Sequence, residues 1–383
     1  MSRRQVLAVG CAHCAAWPRA WSAGDDWSLP ERFARPDLAT DEGGLWAIME
    51  REEARLRRSP FLIRDAGLRE YVQGIACRLG GAHCPDIRVH LVRTPYFNAS
   101  MAPNGMMQVW SGLLLRVENE AQLAAVMGHE LGHYLQRHML ERLQDVKAKS
   151  AFGLFMAPFG AAGLVGQLIA AASAMAFSRD QERAADSIGV TLMRHAGYDP
   201  REASKVWTNL LAELEAAPGG DPSKSNPLFA THPSSMERGA TLANLTVGDK
   251  GGFVGDSVYT DKLAALQYDL LDDEVKRGQR AETLALLDRM VGRAPGRADL
   301  LYFRGETRRL RGISDDMDLA RADFQRAIDL GNEPAQVYRA IGYLERKRGH
   351  LGEARAAFMR YLERAPDAPD VKLIRDHLND SEG

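Results

Sequence analysis

The sequence predicts an α+β protein, mostly helical, with a small β-sheet in its first part and a run of paired helices in its last third. Three observations predict it. Residues 87–92 alternate in part, and residues 97–101 and 106–110 flank the turn-forming string Pro103-Asn104-Gly105, so a strand and a hairpin come early. Leu123, Val126, Met127, Leu131 and Leu135 recur at three- and four-residue spacing, which marks one long helix over 118–144. Beyond residue 250 an apolar helical ladder repeats itself. At 383 residues the chain exceeds one ordinary core, which argues for two domains and a short extra segment. With 45% hydrophobic and 26% charged residues it is no collagen-like, disordered or multi-span membrane chain. A net charge of -2 gives no electrostatic footprint for nucleic acid and no polybasic membrane anchor. Four Cys are too few for a disulfide scaffold.

Taken in order, residues 1–24 read as an export signal, with Arg3 and Arg4 ahead of an apolar stretch and small residues. Ser2-Arg3-Arg4-Gln5-Val6-Leu7 resembles the twin-arginine motif. Cleavage is expected near Ser22, and Cys11 after Ala8-Val9-Gly10 offers a lipoprotein-type alternative. Cys77 and Cys84 then remain, either as a small disulfide loop or as two separate thiols. Residues 45–79 predict charged helices interrupted at Ser59-Pro60. Residues 151–177 lack any charge and nominally reach spanning length. Gly153, Pro158, Gly160, Gly163 and Gly166 break the first half, so a hydrophobic hairpin or cover packed on the core is expected, with a peripheral membrane contact left open. A second charged helix runs over 178–195 and stops at Gly197. Pro218-Gly219-Gly220-Asp221-Pro222 marks a loop, and 246–255 a Gly-rich linker at the domain boundary.

In the tail, GQRAETLALLDRMVGRAP (278–295) and GHLGEARAAFMRYLERAP (349–366) share a Gly, a Glu, an apolar ladder and a closing Arg-Ala-Pro. Between them Ala320, Phe324 and Ala327 keep the register of Ala354, Phe358 and Tyr361. Tyr302 with Gly305, and Tyr338 with Gly342, mark the helices that precede each ladder. This pattern is similar to tetratricopeptide repeats over about residues 258–380: three helix pairs, then a capping helix over 369–378. Its middle unit carries an insertion and lacks the closing Pro. Such pairs bury each other's apolar faces and present a concave surface to a protein partner, or else cap the first domain.

The sharpest chemical feature is His129-Glu130-Leu131-Gly132-His133 within the long helix. Residues i and i+4 of a helix lie about 40° apart, so both imidazoles can face one metal ion. Glu130 is then near enough to reach a water on that ion as general base. A catalytic zinc takes three protein ligands and keeps one position open. Glu182 and Asp186 share a face of the second charged helix, so one can bind the metal while the other orients a ligand imidazole. His138 lies about 140° round a continuous helix from His133 and is expected to face away from the metal. It and His195 are expected to be structural. The hairpin offers an edge strand to which an extended peptide can add.

HELGH after FNASMAPNGMMQVWSGLL, then SRDQERAAD, then Thr231-His232-Pro233, in that order, resembles the HtpX-like and CAAX-prenyl-protease-like zinc metallopeptidases. The most similar branch is the soluble one with a tetratricopeptide tail, the periplasmic β-barrel assembly-enhancing proteases. The resemblance implies a zincin-like metallopeptidase domain over 25–250, ahead of the repeats at 251–383. It implies one Zn2+ per chain on His129, His133 and Glu182, with Glu130 as catalytic acid/base and Asp186 behind a ligand. His232 and Arg238 match a His followed six residues later by Arg. The resemblance implies that they polarise the scissile carbonyl, or that His232 is a fourth ligand at rest.

The expectation is therefore an exported, gluzincin-like metalloendopeptidase of the periplasm. The resemblance further implies quality control of unfolded or misassembled outer-membrane proteins, with the repeats engaging the outer-membrane assembly machinery. The alternative is a chaperone-like adaptor acting through its repeats, its protease activity latched or minor. No nucleic-acid partner is expected, and 151–177 leaves room for a peripheral membrane contact.

Overall fold

Local signals set the first elements of the computed structural model, which describes residues 28–148, 176–217, 228, 232 and 235–379. The export signal, residues 151–175, the loop at 218–222, and Thr231 and Pro233 lie outside the described residues. Thr40 caps helix α1 (Asp41–Arg58) by accepting from the Gly43 N–H, and Asp65 caps α2 (Ala66–Gly80) by accepting from Leu68. The interruption at Ser59-Pro60 separates them, as expected. A 3-10 turn (Gly81–Asp86) comes next, and within this stretch Cys77 and Cys84 form a disulfide, which decides between the two readings of that pair.

Strands β1 (Arg88–Val92), β2 (Ala99–Met101) and β3 (Met106–Trp110) make a three-stranded sheet in the order β1-β3-β2. The expected hairpin joins β2 to β3 with Ala99 opposite Val109 and Met101 opposite Met107. Its turn bonds Gly105 N–H to Ala102 C=O and places Gly105 at φ 84°, where a glycine is favoured. β1 pairs with β3 in parallel, Val89 beside Met107 and Leu91 beside Val109, which leaves β2 as an edge. Met107 and Val109 are fully buried, as are Leu123, Met127 and Leu131 of the next long helix.

A short helix α3 (Ser111–Arg116) leads into α4 (Glu120–Leu135), capped by Asn119. The Tyr71 and Tyr198 hydroxyls each donate to the Glu120 carboxylate over 2.7 Å, which ties the start of α4 to its neighbours. The expected continuous helix over 118–144 is corrected here. α4 ends at Leu135, Arg137 adopts the left-handed conformation (φ 57°), and a separate α5 (His138–Ala148) begins. A left-handed residue reverses the helical twist locally, so the residues of α5 do not keep the angular order of α4.

Helix α6 (Arg179–His195) starts with a capping box between Ser178 and Gln181 and stops before Gly197 (φ 78°), as expected. α7 (Glu202–Glu215) and α8 (Ser235–Leu245) complete this part. The Gly-rich stretch after α8 is stitched to the loop that follows α6: Asp199 N–H bonds Phe253 C=O, and Phe253 N–H bonds Gly197 C=O.

The tail consists of α9 (Asp256–Arg277), α10 (Arg280–Arg293), α11 (Ala298–Arg311), α12 (Asp316–Asp329), α13 (Gln336–Lys347), α14 (Leu351–Arg364) and α15 (Val371–Asn379). Gly305 of α11 lets the Phe324 ring of α12 come so near that a methyl there would meet it at 2.6 Å. Phe324 and Phe358 are both buried against these helices. The tail is fastened to the first part by charge: Arg116 Nε bonds Glu213 at 2.7 Å and its Nη2 bonds Glu274 of α9 at 2.8 Å. No described helix is long and apolar enough to cross a membrane.

Candidate metal centre

The site forms where α4 crosses α6, and small residues bring the two backbones together. Gly128 lies against Gly189, and Gly132 against Ala185, with no room for side chains between them. This crossing sets Glu182 and Asp186 of α6 beside His129 and His133 of α4. His133 Nε2 is 3.0 Å from His129 Nε2 and 3.5 Å from Glu182 Oε1, while His129 Nε2 is 3.5 Å from Glu182 Oε2. His232 Nδ1 joins them, 2.7 Å from Glu182 Oε1 and 3.3 Å from His129 Nε2. One ligand atom from each of His129, His133, Glu182 and His232 lies within 4.8 Å of all the others, and all four residues are buried. Two nitrogens, a carboxylate oxygen and a third nitrogen at such spacing are a donor set suited to zinc.

The fit can be tested within the protein. Glu182 Oε2 is buried with no hydrogen-bond partner, the Arg238 Nη1 lying 3.5 Å away, so this carboxylate oxygen is open to a metal ion. Burial pushes the Glu182 carboxyl up, but the His232, His129 and His133 imidazoles around it hold it far below the carboxylate range. Burial drives the His133 imidazole well below its ordinary value. The residues fit the ion.

Around this set, Glu130 is 3% exposed, and its Oε1 lies 3.7 Å from His232 Nε2. Burial raises its carboxyl. Asp186 Oδ1 stands 3.0 Å from His129 Nδ1, where the sequence placed a group behind a ligand. Burial and the Arg238 charge lower the His129 imidazole, but hydrogen bonds to Asp186 and Glu182 carry it above its ordinary value. Arg238 Nε donates to both Asp186 oxygens, at 2.8 and 3.0 Å, and its guanidinium packs 3.9 Å over the Trp207 ring. It also touches His129, while Nη1, without a hydrogen-bond partner, lies 3.5 Å from Glu182 Oε2. Most of Arg238 is thus spent on holding Asp186.

Two residues were missed or misplaced by sequence reasoning. His138 does not face away: because Arg137 breaks the helix, His138 Nδ1 lies 2.9 Å from His133 Nδ1. The expectation rested on an unbroken helix, and neither Gly nor Pro between Leu135 and His138 signals the break. Phe177 stacks on the His133 ring, centroids 3.9 Å apart and planes at 23°. His195, by contrast, is exposed at the far end of α6, away from the centre. Beside His133 opens a shallow, mostly apolar pocket lined by Phe33, Met101 of the edge strand, Pro103, Tyr134, Arg137 and Phe177.

Comparison with known proteins agrees with this arrangement. Mitochondrial metalloendopeptidase OMA1 of Arabidopsis thaliana is 35% identical over 159 residues, covering 42% of this chain and 31% of that protein. OMA1 of Schizosaccharomyces pombe is 35% identical over 154 residues, covering 39% of this chain and 44% of its own length. The β-barrel assembly-enhancing protease of Escherichia coli K12 is 28% identical over 231 residues, covering 55% of this chain and 46% of that protein. The chain thus spans less than half the length of these curated relatives. The profile of peptidase family M48 matches residues 63–246, which take in every residue of the cluster. Residues 63–246 are thus a peptidase family M48 domain.

Proposed function

We propose that the protein is a zinc-dependent endopeptidase. One observation carries this reading: one ligand atom from each of His129, His133, Glu182 and His232, all buried, lies within 4.8 Å of the others, with the Glu130 carboxylate beside them. When bound, zinc supplies the Lewis acidity that makes water a nucleophile at neutral pH. Glu130 takes the proton from that water and delivers it to the departing amine. Asp186, clamped by Arg238, keeps the His129 ring in place. A peptide substrate adds to the free edge of β2, and a side chain next to the cleaved bond enters the pocket beside His133.

His129, His133 and Glu182 would hold the ion, and His232, whose Nδ1 lies 2.7 Å from Glu182 Oε1, would be a fourth ligand at rest. Arg238 acts through Asp186 rather than on the carbonyl. We further propose that the protein works in the periplasm on unfolded or misassembled envelope proteins. Relatives named β-barrel assembly-enhancing protease support an envelope setting. The tail helices act as tetratricopeptide-type repeats that recruit substrate or assembly machinery. The test is zinc content of the purified chain, with cleavage of an unfolded protein measured before and after chelation and zinc restoration. Protein that holds no zinc, or cleaves equally well without it, overturns the proposal. If Glu130→Gln abolishes cleavage and cellular function persists, an adaptor role through the tail takes its place.

A further inference from the structure

We propose that His138 is a positioning residue for the metal ligand His133, an inference that rests on the zinc reading above. The two imidazoles meet Nδ1 to Nδ1 at 2.9 Å, and both are buried. At that distance one nitrogen must donate and the other accept, since two lone pairs or two N–H groups would repel. His133 Nε2 points at Glu182 and at His129, so its lone pair belongs to the metal and its proton sits on Nδ1. That N–H donates to His138 Nδ1, which places the proton of neutral His138 on its own Nε2. The tautomers of both rings are thereby set by one contact.

The chain makes this contact by a specific device. Continued as a helix, residue 138 would lie about 140° from residue 133. Arg137 at φ 57° breaks the helix and returns His138 to the back of His133. His129 is braced differently, by the Asp186 carboxylate 3.0 Å from its Nδ1. His133 has an imidazole there instead, with the Phe177 ring against its face at 3.9 Å. Hydrogen bond and stacked ring together leave His133 one orientation. A neutral acceptor donates less charge to the ligand than a carboxylate, so His133 is less polarised than His129.

The experiment uses the full chain with Zn2+ and a competing chelator, and reads the zinc dissociation constant of three variants. His138→Phe keeps an aromatic ring and removes the acceptor. His138→Asn places an amide oxygen near the Nδ1 position and keeps it. His138→Ala removes both. The Phe and Ala variants should bind zinc roughly 10- to 100-fold more weakly, and Asn should recover most of the loss. Unfolding temperatures of the metal-free variants separate positioning from packing. If Phe binds zinc as tightly as the wild type, or if Phe and Asn lose affinity equally, the positioning role is overturned. Wild-type protein that holds no zinc is a separate result, which removes the metal reading and this inference with it.

Discussion

Gly132 and Ala185 meet backbone to backbone: a methyl group on Gly132 would stand 2.8 Å from the Ala185 carbonyl oxygen and 2.9 Å from its Cα. The glycine inside the His-Glu-Leu-Gly-His string is therefore a packing residue as much as a member of a motif. It sets the distance between the helix that carries two imidazoles and the one that carries the carboxylate. Gly132→Ala should push α6 outward, at a cost of about 1–3 kcal/mol, and draw Glu182 off the metal. Measured by chelator competition, zinc affinity should fall. Gly74→Ala in α2, where nothing lies within 4 Å of the added methyl, is the control and should leave zinc binding unchanged. Equal affinity in both variants would show that the crossing tolerates a wider gap.

His232→Ala tests the resting ligand. Three ligands remain, which is enough to hold a catalytic zinc, so metal content should stay near one per chain. With the fourth position cleared, cleavage of an unfolded protein should speed up. Slower cleavage with zinc retained would instead assign His232 to the substrate carbonyl.

How much of this site could be read from the residues alone depends on the range of the interaction. His129 and His133 face one point because of helical periodicity, and Glu182 and Asp186 share a face for the same reason; those are local rules. The hairpin was legible because Gly105 takes a conformation that glycine favours. The parallel pairing of β1 with β3 was not legible, since it depends on where two separated strands meet in the core. Nor was the turn at Arg137, because arginine carries no preference for the left-handed region and only tertiary packing places it there. His138 was misjudged for that single residue's sake. Phe177 stacks on His133 from outside the helix, so no spacing rule connects the two.

Arg116 makes a second kind of long-range link. It is 5% exposed at its side chain and bonds two carboxylates, Glu213 of α7 and Glu274 of α9, so it joins the domain that holds the cluster to the helical tail. Burial opposes its charge, but Glu274 and Glu213 outweigh that and hold the guanidinium firmly protonated. Arg116→Met leaves both carboxylates buried with one partner fewer. Stability should drop by about 3–5 kcal/mol in denaturant titration, and limited proteolysis should cut between the two parts. A variant as stable as the wild type would mean that other contacts hold the tail in place.

Glu53 supplies the pH dependence. Its carboxylate accepts from Arg88 at 2.6 and 2.8 Å, from His90 at 2.9 Å and from Arg57 at 2.6 Å, and its side chain is only 6% exposed. Burial pushes the carboxyl up, but the hydrogen bonds from Arg88, His90 and Arg57 together hold it well below its ordinary 4.5. A carboxyl lowered on folding stabilises the native state fully above the unfolded value, and this contribution is lost as pH falls from there toward the folded one. Glu53→Gln should therefore cost on the order of 2 kcal/mol at neutral pH, because the charge-assisted bonds weaken. The difference from wild type should shrink steadily below pH 4.5. Urea titrations of both proteins at several pH values measure it directly. A gap that stays constant from neutrality down to about pH 3 would mean that the Glu53 charge contributes nothing and that the amide of the variant only packs less well.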